Sequence, residues 1–403
     1  MPRQKRRHWN SAESRLHFAK PYVEGFENWL RDRGYTPSTI EERVRLLAGW
    51  TNWMHAAGFG LDNILDGLAA SAAVFRGKKS IRAYGGAGRL FIRYLQDQGT
   101  LPRSVPPPSP AEQWPIFGAF RAWARQHRGI AHSTLDLWQR PIIDLLKSLG
   151  EDPKTYTAEA LRVFMLERAK RYKVGRLKTY AVAIRGFLRF LVATGRCPVG
   201  REYALPAVAN WQLASVPRYL VAEDVERAIA ACDGDRRLRD WAVVLLLARL
   251  GLRASEVANL KITDIDWRNG RLAVCGKSKR PEWLPLTQEV GDAIVAYLEQ
   301  VRPRLRTPRL FLTESAPLRP LTRNTVKCIV TRTLIRAGIE SAHKGAHVLR
   351  HSAATAMLRH GVSLPGVCAV LRHTSPQMTM HYAKVDFALL SEIAQPWVGR
   401  LPC

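Results

Sequence analysis

Residues 347–382 read HVLRHSAATAMLRHGVSLPGVCAVLRHTSPQMTMHY. The stretch has the composition of two short apolar helices, but cationic side chains interrupt it and it ends at Tyr382, the only tyrosine in the last hundred residues. At about 100° per residue, a helix beginning near 347 places His347, Arg350 and His351 on one face. Arginine binds phosphate oxygens through two parallel N–H bonds, and histidine exchanges a proton near neutral pH. The pattern therefore predicts a helix whose cationic face lines a site for a phosphate group.

The charge of the whole chain points to the same kind of partner. There are 62 Lys and Arg residues against 34 Asp and Glu, a formal net charge of +28, while a hydrophobic fraction of 46% is that of a globular protein. A surplus of this size favours a polyanion, and nucleic acid is the prime candidate. No apolar run reaches the ~18 residues needed for a membrane span. The N-terminal MPRQKRRHWN lacks the apolar segment of a secretory signal. The six cysteines form no CxxC pair, which fits a reducing cytoplasm.

Two proline-rich stretches divide the chain, which at 403 residues is too long for one core. Residues 103–114 are predicted to contain no regular helix, because each proline fixes its own φ and restricts the residue before it. Residues 197–220 form the second break and carry Pro198, Pro206 and Pro217. The expected organisation is a basic tail at 1–19, a helical domain at 20–105, a second helical domain at 112–200, and a third domain at 218–403.

The two helical segments resemble each other in sequence. Equivalent residues occur at offsets of 94 to 96, as in the pairs Phe26/Phe120, Trp29/Trp123, Tyr84/Tyr180, Phe91/Phe187 and Gly99/Gly195. Apolar residues at helical spacing and Ser-Thr helix starts recur in both segments. We interpret them as two small all-helical domains that arose by duplication.

Both segments carry a glycine and basic residues where their last long helix begins, GKKSIR at 77–82 and GRLK at 175–178. Helix N-termini bind phosphate through free N–H groups, and nearby cations strengthen the attraction. These runs are predicted DNA-backbone contacts, although solvated loops have the same composition. The candidate residues are Lys78, Lys79, Arg82, Arg176 and Lys178.

The third segment combines helical and extended patterns. An apolar helix in DWAVVLLLARL ends at Gly251 and leads into a short helix, ASEVANL. RLAVCG (271–276) and EWLPL (282–286) read as two strands around the basic turn GKSKRP, and helices are expected near 287–302 and 322–337. The predicted fold class is mainly α with a small β-sheet in this domain.

Four features of this segment fall in a restrictive order. Arg253 occurs in GLRASE, Lys277 follows a strand, HVLRH supplies His347 and Arg350, and His373 precedes Tyr382 by nine residues. In this pattern residues 218–390 resemble the catalytic domain of the tyrosine recombinase (phage integrase) family. The helical segment at 112–200 is similar to the SAM-like core-binding domain of that family, and 20–102 resembles a further copy.

The resemblance implies a role for each matching residue. Arg253 and Arg350 hold the scissile phosphate, and Tyr382 attacks phosphorus to give a 3′-phosphotyrosine. Lys277 protonates the departing 5′-oxygen; the neighbouring Lys279 and Arg280 are expected to contact DNA. His347 takes part in proton transfer at the tyrosine, and His373 donates a hydrogen bond to the phosphate. Glu256 orients the residues of the site. At position 372 this chain has Arg where the family usually has Gly.

A metal site is the main chemical alternative for the histidines. His343, His347 and His351 have helical ligand spacing, but no carboxylate or cysteine accompanies them, and Lys344 and Arg350 add like charge. We expect no metal and no other cofactor.

The function expected from the resemblance is site-specific DNA recombination, of the mobile-element integrase or transposase type, in the cytoplasm at the bacterial nucleoid. The expected partners are double-stranded DNA recombination sites and further copies of the chain, forming a tetramer at synapsis. Accessory or sister recombinases are further possible partners. A short amphipathic helix at 386–397 is expected to dock in cis or on a neighbouring subunit. The alternatives are a type IB topoisomerase-like enzyme and a non-catalytic DNA-binding protein on the same scaffold.

Overall fold

The computed structural model describes most of the chain. It covers residues 15–74, 79–103, 108–209, 218–232, 237–276, 281–341, 345–372 and 382, with the backbone alone for 73 and 79–83. These residues form α-helices and one three-stranded sheet, so the predicted fold class is confirmed. Within the described ranges, no helix is both long and apolar enough to cross a bilayer. The predicted helix at 386–397 lies outside the described residues.

The chain divides into two compact units that differ from the three predicted segments. The main unit comprises Met1–Pro102 together with Ser215–Cys403, and the inserted unit is Arg103–Ala214. The chain therefore leaves the main unit, forms the inserted unit and returns. The division into domains at 20–105, 112–200 and 218–403 stays a prediction about folding and function.

The N-terminal part of the main unit is a small helical bundle. A 3-10 turn at His17–Tyr22 precedes α1 (Val23–Asp32), α2 (Pro37–Ala56), α3 (Ile64–Val74) and α4 (Lys79–Asp97). Helix α2 begins where the sequence supplies both start signals, because Pro37 occupies its first position and the Thr36 side chain accepts a hydrogen bond from the Thr39 N–H. Phe26, Trp50 and Phe91 are fully buried in its core.

The inserted unit is also helical. It contains α5 (Pro110–Gln113), α6 (Pro115–Arg128), α7 (His132–Leu149), α8 (Ala158–Arg171) and α9 (Val174–Ala193), with 3-10 turns at Pro153–Thr155 and Arg201–Tyr203. The prediction of no regular helix across 103–114 is wrong for α5. Pro110 occupies the first helical position, where its missing N–H costs nothing, and Ser109 and Glu112 form a reciprocal capping box.

The two helical segments repeat the same aromatic packing. The rings of Phe26 and Phe91 are 5.5 Å apart at 89°, and those of Phe120 and Phe187 are also 5.5 Å apart at 89°. Gly99 and Gly195, which follow α4 and α9, have φ of 77° and 69°. The sequence similarity between the segments thus extends to ring geometry and to the backbone at the helix ends.

The C-terminal part of the main unit packs helices around a small sheet. Its helices are α10 (Ala222–Ala230), α11 (Leu238–Ala248), α12 (Ala254–Asn259), α13 (Gln288–Ala296), α14 (Arg323–Arg336), α15 (Ala346–Arg359) and α16 (Leu364–Leu371), with a 3-10 turn at Ile262–Asp264 and a π turn at Tyr297–Val301. The strands β1 (Ile265–Asp266), β2 (Arg271–Cys275) and β3 (Pro281–Pro285) form an antiparallel sheet in chain order. The predicted strands correspond to β2 and β3; β1 was not predicted, because two residues are too short for an alternating pattern. Every residue of α11 except Trp241 is buried, and the helix packs against α13 and α15.

Within the main unit, the turn after α1 touches a loop that precedes α14. The Leu318 N–H donates to the Arg33 carbonyl at 3.2 Å. A Cβ at Gly34 would lie 2.4 Å from Leu318 Cδ1, and Gly34 has a φ of +81°, so this contact requires glycine for both space and backbone conformation. The loop is itself ordered by a hydrogen bond of 2.8 Å from the Thr313 N–H to the Arg319 carbonyl. The N-terminal helices are thereby attached to the C-terminal part of the chain.

Candidate active site

Arg253 and Glu256 form an ion pair at the start of α12. Arg253 is the residue before the first turn, and its backbone N–H donates to Glu256 Oε2 at 2.8 Å. Its guanidinium Nη1 donates to Glu256 Oε1 at 2.7 Å. The short spacing in the sequence GLRASE therefore fixes the Arg253 guanidinium against a carboxylate that is only 5% exposed.

Arg372 binds the same carboxylate from the end of α16. Its Nη2 donates to Glu256 Oε2 at 2.8 Å, and its carbonyl accepts from Arg253 Nη2 at 3.1 Å. Arg372 is 7% exposed and has a φ of +53°, in the left-handed region that glycine normally occupies. Burial raises the pKa of Glu256, but the hydrogen bond from the Arg253 N–H and the charges of Arg372 and Arg253 outweigh it and hold this pKa below its usual value. Glu256 is therefore ionised between two arginines.

Arg350 connects three parts of the site. It is 3% exposed, and its guanidinium donates to the carbonyls of Gly251 and Leu371, at the ends of α11 and α16. Burial and the neighbouring charge of Arg253 lower the pKa of Arg350 to about 10, so it still carries its charge at neutral pH. A charge held in a dry environment interacts strongly with an anion brought next to it.

His347 lies one turn before Arg350 on the same helix and reaches solvent. Partial desolvation, followed by the charges of Arg350, Arg323 and Arg253, lowers the pKa of His347 below its ordinary value. Its imidazole is therefore neutral at neutral pH and able to accept a proton.

Tyr382 is almost completely buried beside α15. It is 2% exposed and packs in a cluster with Leu358, Val367 and Leu371. Its hydroxyl lies 2.6 Å from Nδ1 of His351. Burial raises the pKa of Tyr382, opposed by the charges of Arg350 and Arg253, so the phenol is protonated at neutral pH and within electrostatic reach of both arginines.

The structure brings five of the predicted site residues into one region of the main unit. They are Arg253, Glu256, His347, Arg350 and Tyr382. Other predicted residues lie outside the described ranges: Lys78, Lys277, Lys279, Arg280 and His373. Lys79 and Arg82 belong to the first turn of α4, where only the backbone is described. Among the described residues, no group of three His, Cys, Asp or Glu side chains could hold a metal ion.

The predicted DNA contacts of the inserted unit lie in the first turn of α9. Arg176 is exposed, with its guanidinium carbon 4.5 Å from the centre of the Tyr172 ring, and Lys178 is half-buried two residues later. Both follow the start of α9 at Val174, as the pattern GRLK indicated. Their position at a helix N-terminus is compatible with a contact to phosphate.

Two residues that contact the site were given no chemical role from the sequence. His351 shares a helix face with His347 and Arg350, and this spacing was the available signal. Arg372 was visible only as a departure from the glycine usual in the family. Its partner Glu256 is 116 residues away in sequence, so the ion pair could not be predicted from the local pattern.

The chemistry available to this arrangement is the binding of an anion next to a nucleophile. Arg253 and Arg350 supply fixed positive charge, Tyr382 supplies an oxygen nucleophile, and His347 supplies a neutral base. Charge fixed in advance where negative charge develops is the main means of stabilising a phosphoryl-transfer transition state.

Comparisons with known proteins agree with this chemistry. The Phage integrase family matches residues 218–388. A putative integrase/recombinase y4rA of Sinorhizobium fredii is 35% identical over 388 residues, 94% of this chain and 94% of that protein. Tyrosine recombinase XerD of Listeria monocytogenes is 28% identical over 280 residues, 66% of this chain and 92% of that protein. The fold resembles that of the XerH site-specific recombinase bound to palindromic difH substrate, with a TM-score of 0.56 and 19% identity over 70% of this chain and 84% of that one. It also resembles the Tn1549 transposon integrase in complex with transposon right end DNA, with a TM-score of 0.55 and 15% identity over 68% of this chain and 99% of that one.

Proposed function

Because the chain belongs to the phage integrase family of tyrosine recombinases and is a site-specific DNA recombinase, we propose that Tyr382 is the nucleophile and that Arg253 and Arg350 bind the scissile phosphate. The observation that carries this assignment is the burial of Tyr382 within electrostatic reach of two arginines that are themselves fixed by Glu256 and by helix-end carbonyls. A tyrosine serving only as core packing has no need of these two guanidinium groups.

The proposed reaction is a transesterification at phosphorus. The Tyr382 oxygen forms the new O–P bond, and the bond from phosphorus to the 5′-oxygen breaks. His347 accepts the phenolic proton, for which its lowered pKa suits it, and Lys277 gives a proton to the departing 5′-oxygen. His373 donates a hydrogen bond to the phosphate. Since the phosphotyrosine conserves the energy of the broken bond, rejoining by a 5′-hydroxyl requires no ATP. Arg253, Arg350 and Lys277 supply the positive charge that a metal ion would otherwise provide.

The two alternative functions are less well supported. A binding protein has no use for a buried nucleophile within electrostatic reach of two arginines, and the relatives described above are integrases and recombinases, not topoisomerases. A suicide DNA substrate, nicked so that the cleaved strand diffuses away, tests the assignment. We expect a covalent protein–DNA adduct in EDTA without ATP; DNA binding without an adduct would favour the non-catalytic alternative.

The partner is double-stranded DNA at recombination sites, and we propose a homotetramer as the synaptic assembly. The support is chemical, because exchange of two duplexes requires four strand cleavages and one chain has one Tyr382. Similarity to y4rA and to the Tn1549 transposon integrase supports a role in a mobile element, with accessory or sister recombinases as further possible partners. The proposed location is the cytoplasm at the nucleoid, where its DNA lies.

Substitutions of Arg372 separate its charge from its backbone conformation. Arg372→Gly and Arg372→Ala both remove the guanidinium that binds Glu256, but only glycine relieves the φ of +53°. We expect both variants to cleave roughly tenfold more slowly, the scale of one charge-assisted hydrogen bond. We expect the Ala variant to be the less stable of the two by about 1 kcal/mol.

Single-turnover cleavage and urea denaturation measure the two effects separately. A wild-type cleavage rate in both variants would show that Arg372 does not act on the site through Glu256. Equal stabilities would show that the backbone strain at residue 372 is absent in solution.

Basic residues at the starts of α4 and α9 are proposed to contact the DNA backbone. Each neutralised phosphate contributes ~0.9 to the slope of log K against log salt concentration. Replacing Lys78, Lys79 and Arg82 together by Gln should weaken binding and flatten that slope by roughly one to three units. Replacing Arg176 and Lys178 by Gln should flatten it by roughly one to two units.

Fluorescence anisotropy over a salt series measures this effect. Gln at Arg125 and Arg128, two exposed residues in the last turn of α6, is the matched control, because it removes two charges from a helix C-terminus and should leave the slope unchanged. If only the set at α9 changes the slope, the N-terminal helices do not contact DNA through residues 78–82.

A further inference from the structure

The contact between Tyr382 and His351 is the feature of the site that the family resemblance does not explain. Tyr382 Oη and His351 Nδ1 are 2.6 Å apart, and the two rings pack at 5.4 Å between centres and 53° between planes. Such a distance is that of a good hydrogen bond between a hydroxyl and a ring nitrogen. The resemblance instead assigns the tyrosine's partner to His347.

The two histidines are neighbours on α15, which allows their roles to differ. His347 and His351 are one helical turn apart, and their ring centres are separated by 5.9 Å. His347 reaches solvent and is next to the charges of Arg350, Arg323 and Arg253. His351 is half-buried and contacts the ring of Tyr382, which itself belongs to an apolar cluster. The first is placed to exchange protons, and the second is placed to hold the phenol.

On the basis of the function proposed above, we infer that His351 is a positioning residue for the nucleophile. In this role, Nδ1 of its imidazole accepts a hydrogen bond from the Tyr382 hydroxyl. This bond fixes the rotation of the phenolic O–H and the place of residue 382 against α15 before DNA is cleaved.

The position of the acceptor atom gives a matched pair of variants. The amide oxygen of Asn lies close to the position of Nδ1, whereas that of Gln lies one bond further out, near the position of Nε2. We expect His351→Asn to cleave within about threefold of wild type, because the acceptor is kept. We expect His351→Gln and His351→Ala to cleave about 10- to 100-fold more slowly, the cost of a reacting group displaced by about 1 Å.

The measurement is the single-turnover rate of covalent adduct formation at saturating protein, with the Kd for uncleaved DNA determined separately. The positioning role predicts a slower rate with unchanged Kd. A purely structural role would instead alter the circular dichroism spectrum or Kd of the Gln and Ala variants, and that result would overturn the inference. It would also be overturned if Asn were as slow as Gln, or if all three variants cleaved at the wild-type rate.

A substrate with sulfur in place of the bridging 5′-oxygen shows whether a variant is slow because of the leaving group or because of the attacking group. Sulfur leaves without a proton, so this substrate should restore the rate of Lys277→Ala. It should not restore the rate of His351→Gln, because His351 acts on the attacking group. Tyr382→Phe is run in parallel: an adduct in that variant would refute the nucleophile itself, whereas a wild-type rate in His351→Gln would refute only the role of His351.

Discussion

Tyr382→Phe binds DNA with the affinity of the wild-type chain and forms no detectable covalent adduct. The substitution removes one oxygen and keeps the ring that packs against Leu358, Val367 and Leu371. The phenol is buried and its hydroxyl bonds to His351, so the substitution removes this hydrogen bond, worth about 1 kcal/mol, and keeps the packing of the ring. The nucleophile, by contrast, cannot be replaced, because the reaction passes through a bond to that oxygen.

Denaturing gel electrophoresis after incubation with a suicide substrate detects the adduct, and anisotropy measures DNA binding. Tyr219→Phe is a matched control, because Tyr219 is a tyrosine of the same unit whose hydroxyl accepts a bond from Arg359 and lies outside the site. An adduct in the Tyr382→Phe variant would show that Tyr382 is not the nucleophile.

Arg253→Ala and Arg350→Ala each lower the cleavage rate on the order of 10²- to 10³-fold, the scale for removing one preorganised donor from a developing negative charge. The two residues differ in how much structure they also support. Arg350 is 3% exposed and ties the carbonyls of Gly251 and Leu371 together, whereas the Arg253 side chain is 19% exposed and is held mainly by Glu256. Arg350→Ala is therefore expected to lower the free energy of unfolding more than Arg253→Ala.

Lysine at the same two positions is the control, because it keeps the positive charge and loses the planar arrangement of N–H donors. A lysine ammonium cannot donate to two carbonyls in the plane of a guanidinium, and burial favours its neutral form. We expect Arg350→Lys to recover little of the rate and Arg253→Lys, at the more exposed position, to recover more. A wild-type cleavage rate in either Ala variant would remove that arginine from the site.

The site could be predicted where its residues are close in sequence or follow a family pattern. His347 and Arg350 fall on one helix face, and Arg253 and Glu256 share one turn, so their proximity follows from helical spacing. The order of these motifs along the chain then indicated the family. The helices and the strands β2 and β3 could be predicted because their apolar residues recur at helical or alternating spacing within short stretches of sequence.

The rest of the site depends on contacts between distant residues. The bonds from Arg350 to the carbonyls of Gly251 and Leu371 involve backbone atoms. Every residue type has a backbone carbonyl, so the sequence does not indicate these partners. The bond between His351 and Tyr382 joins residues 31 positions apart in the sequence, which no local pattern predicts. Helix α5 (Pro110–Gln113) was not predicted, because the prolines of this stretch indicated irregular structure. The capping box of Ser109 and Glu112 was the local signal for a helix start.

Residues 103–214 are inserted between two parts of one unit, so the inserted unit is tethered to the main unit at both of its ends. A domain on a single tether explores a volume set by one linker, but a domain with two tethers satisfies two length constraints at once and loses conformational entropy accordingly. The Arg33–Leu318 contact joins the two parts of the main unit that flank this segment in sequence. Residues 103–214 are thus a closed loop in the covalent topology of the main unit, and the chain entropy lost on closing such a loop grows only slowly with its length.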